Sequence, residues 1–318
     1  MNEFEIIKSY FQILAKKNQN SKKLNDDIFY HKKNKLAVTI DTYNYGIHFL
    51  NFQKPDLVIK KIIRSSISDL VCKGVKPKYY FISASGSKNY FQKKNLKLIK
   101  GALKQEQKKF DILLSGGDTT KSKSLSFSIT SIGFANKIVE RNKAKINDDI
   151  YVTGNIGDSY LGLQLLKNNI HLTKDKRNYF ISKYYLPSLP IKFSQNLIDF
   201  ANTSIDVSDG LIADMKKLVN NQDLSFKIYL DKIPISKNLK SYIDRNNKKK
   251  DKYLFNGDDY QILFTSSKKK RDLIKNISKK LNQKVTIIGQ INQKNEKNKL
   301  IGSNNVNFLG KYEGYLHK

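Results

Sequence analysis

The sequence predicts an α/β (α+β) protein of two domains, and three observations carry that prediction. Its 318 residues exceed one comfortable core and fit two domains of about 100–200 residues each. Strand-like and helix-like stretches alternate along the chain, and the alternation restarts after a break near residues 140 to 148. We therefore divide the chain into 1–143 and 144–318. The 39% apolar fraction, with 17 Phe and 18 Tyr, is enough to close two cores.

Phe4, Ile7, Tyr10, Phe11 and Leu14 follow the i, i+3, i+4 spacing of an amphipathic helix, and a Lys/Asn-rich loop then runs to Asp26-Asp27. Leu36 to Ile40 reads as a strand. Pro55 fits the start of a helix carrying Val58, Ile62, Ile63 and Ile67, which Gly74-Val75-Lys76-Pro77 stops. A strand at Tyr79 to Ala84, a helix over Phe91 to Phe110 and a short strand at Ile112 to Leu114 follow. Leu125 to Phe134 alternates as a half-buried strand and closes the first domain.

The second domain opens on a strand at Ile150 to Thr153, with turns at Gly154 and Gly157. Helices are expected over Tyr160 to Leu166, Arg177 to Tyr185, Ile191 to Ala201, Leu211 to Asn220 and Asp272 to Leu281. Strands are expected at Ser204 to Val207, Phe226 to Leu230, Tyr260 to Thr265 and Lys284 to Gln290.

Composition sets limits on function. Cys72 is the single cysteine, which excludes an intramolecular disulfide and a Cys-based metal cluster. No apolar run approaches the roughly 20 residues of a membrane span, and the opening stretch lacks a signal peptide's basic start, so a cytoplasmic protein is expected. The 59 Lys+Arg against 28 Asp+Glu give +31, the footprint of a nucleic-acid binder. The lysines, however, are spread over nearly every segment. Lys248-Lys249-Lys250 and Lys268-Lys269-Lys270-Arg271 are the tight runs, and both lie beside expected helix ends, where exposed cations are common.

The chemistry is expected from aspartates. In Ser115-Gly116-Gly117-Asp118-Thr119-Thr120 two glycines let backbone approach a phosphate while Asp118 holds its metal; the same residues also compose an ordinary turn. Ile205-Asp206-Val207-Ser208-Asp209-Gly210-Leu211 sets two carboxylates at a strand-to-helix turn. The helix N-terminus there would offer unpaired N–H groups to phosphate, or Asp209 would cap it. Asp26-Asp27, Asp41 and Asp69 complete the set. Asp69 lies in an apolar helix whose lysines are elsewhere, a costly place for a carboxylate unless it is paired or bound to metal. Asn256-Gly257-Asp258-Asp259-Tyr260 and Tyr312-Glu313-Gly314-Tyr315 suit an aromatic or cationic ligand.

In their order and spacing these segments resemble the thiamine-monophosphate kinases, of the superfamily that includes aminoimidazole ribonucleotide synthetase and selenophosphate synthetase. The resemblance runs from Asn25-Asp26-Asp27 through Thr39-Ile40-Asp41, Gly46-Ile47-His48-Phe49, Ile67-Ser68-Asp69-Leu70, Gly116-Gly117-Asp118, Tyr151-Val152-Thr153-Gly154, Gly157-Asp158 and Asp206-Val207-Ser208-Asp209-Gly210-Leu211 to Gly257-Asp258-Asp259-Tyr260. It implies Mg²⁺ ligation by Asp27, Thr39, Asp41, Asp69, Asp118, Asp206 and Asp209, with Asp118 and Asp209 central to catalysis. It further implies ATP contacts from Gly117, Asp118, Arg141 and Ser208, and thiamine monophosphate contacts from His48, Asp258 and Tyr312. The implied fold is like aminoimidazole ribonucleotide synthetase: an N-terminal mixed-sheet domain that forms a homodimer, and a C-terminal α/β domain. Asn25 stands where the family usually has glycine, Ile28-Phe29 replace small residues, and Asp258 replaces a glutamate.

The implied reaction moves the γ-phosphoryl group of ATP onto thiamine monophosphate. A phosphate ester with a second pKa of about 6 is already largely dianionic, so no general base is needed and the obstacle is repulsion between anions. Many aspartates and no catalytic histidine suit that task. There is no G-x-x-x-x-G-K-[ST] loop and no H-R-D with D-F-G pair, which counts against ordinary NTPases and protein kinases. The other readings are a superfamily enzyme acting on another small phosphate and a non-catalytic nucleic-acid binder.

Overall fold

The computed structural model describes residues 3–167, 170–294, 297–302 and 306–308. A short helix α1 (Glu3–Ile6) opens the chain. A five-stranded mixed sheet follows, from β1 (Phe29–His31), β2 (Leu36–Asn44), β3 (Lys76–Gly86), β4 (Leu113–Lys121) and β5 (Ser126–Phe134), in the order β1-β2-β5-β3-β4. Strands β3 and β4 run parallel and the other neighbours antiparallel.

Helices α2 (Pro55–Cys72) and α3 (Lys93–Phe110) pack on one face of this sheet. Phe127, Ile129 and Ser131 point toward them, while Ser128, Thr130 and Phe134 face outward, the alternation expected of a half-buried strand. The outer face keeps apolar side chains at the surface, with Ile40 69%, Phe134 47% and Phe81 37% exposed.

A second, seven-stranded sheet contains β6 (Asp149–Thr153), β7 (Thr203–Asp206), β8 (Leu224–Tyr229), β9 (Ile262–Ser266), β10 (Val285–Gln293), β11 (Lys299–Ile301) and β12 (Val306–Phe308), in the order β12-β11-β8-β10-β6-β9-β7. Its helices are α4 (Asp158–Lys167), α5 (Lys174–Tyr185), α6 (Ile191–Ser194), α7 (Leu211–Leu218), α8 (Lys237–Arg245), α9 (Asp251–Leu254) and α10 (Arg271–Lys280). The two halves share a core, because Val71 and Cys72 at the end of α2 pack with Tyr151, Phe193 and Phe264.

Helix α2 joins the two halves, and its ends are written in the sequence. Pro55 occupies the first turn, where no N–H is needed. At the other end Gly74 takes φ +79°, its N–H donating to Val71 O at 3.0 Å while Val75 N–H donates to Leu70 O at 3.0 Å. That reverse-turn cap satisfies two orphan carbonyls and fixes where the chain leaves the helix. Within the helix, Arg64 makes a buried two-pronged bond to Glu106 of α3, at 2.8 and 2.9 Å.

Several elements differ from the sequence-based expectation. Ser115 to Thr120 is no turn: it lies inside β4, pairing in parallel with β3, and Gly117 is required because a Cβ there would stand 1.9 Å from Ile82 O. The helix expected over Ile191 to Ala201 is two short pieces, α6 and a 3₁₀ turn at Leu197–Asp199. Phe193, Leu197 and Phe200 still reach the shared core, so the apolar spacing survives the break. The opening helix stops at Ile6 and passes into a wider turn over Ile7–Phe11, leaving Tyr10 60% and Leu14 78% exposed. Helix α8 was not expected, although Ser236 caps it by accepting from Leu239 N–H. Among the described residues no helix is long and apolar enough to cross a membrane.

Candidate active site

A cavity of about 690 Å³ lies where α2, β2, the segment after β7 and the segment before β9 meet. Helix α2 presents Lys61, Ser65 and Asp69 at i, i+4 and i+8, one face of the helix, with Lys61 and Asp69 roughly 12 Å apart along the axis. From β2 come Asp41 and Tyr43, and from the turn after it His48. The remaining wall carries Asp206, Ser208, Asp209, Asp258 and Tyr260.

Backbone contact locks the last two segments together. A Cβ on Gly257 would sit 1.7 Å from Ser208 O, and Gly210, at φ +123°, passes within 2.3 Å of Phe255 O in the same sense. Asp258 N–H donates to Ser208 O at 2.9 Å and Tyr260 N–H to Val207 O at 2.8 Å. Asp258 and Tyr260 both hold positive φ, +70° and +50°, a conformation such residues keep only where their surroundings impose it.

At one end of the cavity carboxylates crowd together. Thr39 Oγ1 donates to Asp69 Oδ2 at 2.6 Å, and Ser68 Oγ to Asp206 Oδ2 at 2.8 Å. Burial, then the nearby Asp41, Asp206 and Asp27, push the Asp69 carboxyl well above the ordinary range. Burial, then Asp27 and Asp214, push Asp206 up to about 8. Asp27 differs: burial raises it, but Arg141 and Lys73 outweigh that and hold it below its usual value. Lys73 Nζ, fully buried, lies 2.6 Å from Asp27 and 2.8 Å from Asp26, and donates to Ser204 O at 2.6 Å.

Oxygen donors whose mutual repulsion is unrelieved suit a hard divalent cation, so the residues fit the magnesium the family resemblance implies. Among the described residues no three such groups already surround a single point. Asp41, Asp69 and Asp206 are residues that would hold it, and a bound cation would keep them ionised against the burial and repulsion that raise Asp69 and Asp206.

At the other end charge is matched. Lys61, 1% exposed, places Nζ 2.7 Å from Asp258 Oδ1 and 3.7 Å from the centroid of the Tyr184 ring. Tyr260 OH donates to the same Asp258 oxygen at 3.1 Å. His48 Nδ1 accepts from Asn44 N–H at 2.9 Å, which leaves the proton of the neutral ring on Nε2, and Tyr184 OH donates to His48 O at 3.1 Å.

Of the sequence-expected residues, Asp41, His48, Asp69, Asp206, Ser208, Asp209 and Asp258 line this cavity. Asp27, Thr39 and Arg141 form a layer beneath it, with Arg141 Nε 3.7 Å from Asp27 Oδ1 and Arg141 N–H donating to Asp26. Gly117 and Asp118 are elsewhere. Asp118 pairs with Ser83, Ser83 with Ser128 and Ser128 with Thr42, so Asp118 shares the outer face with Thr42, three strands or roughly 14 Å away. Tyr312 lies outside the described residues.

Two expectations need correction. The N–H groups before α7 are not unpaired: those of Ser208, Asp209 and Gly210 all donate to Asp214 Oδ2 at 3.0 Å, and Lys217 Nζ binds Asp209. Nor are all nearby lysines away from the carboxylates: Lys73, just past the end of α2, pairs with Asp26 and Asp27, whereas Lys61 pairs with Asp258 roughly 12 Å from Asp69. Sequence reasoning missed Lys61, Lys73, Tyr184 and Asp214. Lys61 did leave a signal, a lysine between Val58 and Ile62 on the apolar face.

One residue of each tight basic run is tied into the fold, and the other lysines of both runs are exposed. Lys250 Nζ donates to Leu230 O and Ile233 O, and Arg271 grips Asp149 through two bonds of 2.6 and 2.8 Å.

Comparison with known proteins matches residues 25–135 to the N-terminal domain of the AIR synthase related proteins and residues 145–300 to their C-terminal domain. The thiamine-monophosphate kinase of Buchnera aphidicola subsp. Acyrthosiphon pisum is 38% identical over 302 residues, 91% of this chain and 90% of that one. That of Escherichia coli K12 is 32% identical over 263 residues, 82% and 80% of the two chains. Among solved structures, AaThiL complexed with AMPPCP and TMP superposes with a TM-score of 0.85 at 28% identity, covering 100% of this chain and 97% of the other.

Proposed function

Because the chain belongs to the thiamine-monophosphate kinases, within the AIR synthase related proteins, we propose that it transfers the γ-phosphoryl group of ATP to thiamine monophosphate, giving thiamine diphosphate and ADP. A relative of closely similar fold binds an ATP analogue together with TMP, which supports both substrates. The observation that carries the reading is the cavity's division, with Asp69 and Asp206 pushed up by burial and like charge at one end and a charge-matched aromatic end at the other.

The acceptor phosphate is already dianionic at neutral pH, so the protein's work is to bring two anions together and hold them in line. Mg²⁺ would be held by Asp27, Thr39, Asp41, Asp69, Asp206 and Asp209 at the cavity or just beneath it, and Asp118, which stands apart on the outer face of the sheet, is assigned as a further ligand. When bound, the cation supplies the positive charge that offsets the repulsion between the reactants. Gly117, Asp118, Arg141 and Ser208 are assigned to ATP, and Asp118 and Asp209 to catalysis. His48, Asp258 and Tyr312 are assigned to the acceptor, with Tyr184 and Tyr260 packed behind the same wall, where they hold His48 and Asp258 in place.

We also assign residues 1–143 to ATP, Mg²⁺ and dimerisation, residues 144–318 to the second domain, and the protein to the cytoplasm. The apolar outer face bearing Ile40, Phe81 and Phe134 supports a homodimer, since a face of this kind is ordinarily covered.

Incubation with MgATP and a panel of phosphorylated metabolites, with ADP and AMP resolved, tests the proposal. ADP should form only with thiamine monophosphate, and Asp118→Asn and Asp209→Asn should each abolish turnover in a folded protein. ADP release with another acceptor, or full turnover in both variants, would overturn it.

A further inference from the structure

We propose that Lys61 is a positioning residue of the acceptor end, acting through Asp258, and so a determinant of acceptor affinity. The inference rests on the reading of Asp258 as an acceptor contact. Lys61 is almost wholly buried behind the cavity wall, 1% exposed, whereas the Asp258 side chain is 27% exposed and lines the cavity. A lysine in such a place needs a partner, and it finds three features of the wall at once: Asp258 Oδ1 at 2.7 Å, Tyr184 O at 3.3 Å and the Tyr184 ring at 3.7 Å. Tyr184 in turn holds His48 through its hydroxyl, and Tyr260 shares the bonded oxygen of Asp258.

One buried ammonium therefore ties together side chains from α2, α5 and the segment before β9. Two consequences follow for recognition. The ammonium fixes one carboxylate oxygen of Asp258 and so orients the whole group on a backbone already held at φ +70°. It also balances the charge of Asp258, so that the group meets the acceptor as an oriented hydrogen-bond acceptor and not as a loose anion. Asp258 carries one methylene fewer than the glutamate expected at this position, and a short carboxylate with little reach depends more on being aimed.

The experiment is a double-mutant cycle on the full chain, with kcat and the KM for each substrate measured separately. Asp258→Asn should raise KM for thiamine monophosphate about tenfold with KM for ATP unchanged. Lys61→Met should do the same, and the double variant should be no worse than Asp258→Asn alone, because Lys61 acts through that carboxylate. Lys61→Gln, which keeps a donor, should fall between wild type and Lys61→Met and serves if the methionine variant does not fold.

If Asp258→Asn leaves KM for the acceptor unchanged, the underlying reading of Asp258 fails. If Asp258→Asn raises it while the foldable Lys61 variant does not, or if the two effects multiply, the role given to Lys61 fails. A Lys61 variant that raises KM for ATP equally would make the residue merely structural and would overturn the proposal too.

Discussion

The two ends of the cavity handle burial of charge in opposite ways. At the acceptor end Lys61 meets Asp258 directly, and the pair is complete within the chain. Two turns further along the same helix, Asp69 accepts from the Thr39 hydroxyl and Asp206 from the Ser68 hydroxyl, with Lys217 offsetting Asp206 in part, while Asp41 adds like charge at Asp69. Each buried carboxylate left in that state costs stability, so a protein keeps several together only where something outside the chain completes them. Under the proposed function, the difference separates binding an organic acceptor, which needs shape and oriented polar groups, from handling phosphates, which needs charge.

The most severe way to break the comparison is to remove a carboxylate from the uncompensated end. Asp69→Asn and Asp206→Asn should each lower turnover by about 10²–10³-fold. In the absence of divalent cation the same variants should melt no lower than wild type, since repulsion is relieved. Saturating Mg²⁺ should stabilise wild type by about 2.7 kcal/mol at a hundredfold excess over Kd, and this gain should be lost in both variants but kept in Asp258→Asn. Differential scanning calorimetry with and without the cation reads both effects.

A more moderate test lies at the edge of that end. Asp214 is fully buried and accepts three consecutive N–H groups, so it orders the turn that displays Ser208 and Asp209. Asp214→Ala should lower stability by roughly 1–3 kcal/mol in urea titrations and raise KM for ATP more than KM for the acceptor. An equal rise in both would show that the turn serves the whole cavity and blur the contrast between its ends.

The smallest effect belongs to a control outside both ends. Burial raises the Asp158 carboxyl above 3.8, although the hydroxyls of Ser236 and Tyr179 lower it in part. A carboxyl whose folded pKa is raised contributes stability below its unfolded value and loses it as pH climbs through the folded one. Asp158→Asn should therefore flatten that acid limb of the curve of melting temperature against pH without changing the response to Mg²⁺.

Much of this was legible in the sequence because it depends on near neighbours. The start of α2 at Pro55, its stop at Gly74 and the alternation of β5 are local choices of backbone and side chain. The order of Asp41, Asp69, Asp206, Asp209 and Asp258 likewise led to one cavity. The fold class and the family were read correctly for the same reason, since motif order survives where single motifs are weak. Local reading failed at Ser115 to Thr120, where glycines that compose a turn are needed instead for close approach of two parallel strands.

By itself, then, the sequence determined the side-chain chemistry, carboxylates in a fixed order, and most of the helices and strands that carry them. Tertiary structure alone decided which charges are matched. Lys61 and Asp258 are 197 residues apart, and Asp118 reaches the outer face because sheet register, a long-range pairing, sets which side each strand residue takes. Periodicity fixes how a segment folds, but which segments meet, and hence which carboxylates remain uncompensated, depends on packing that no local pattern contains.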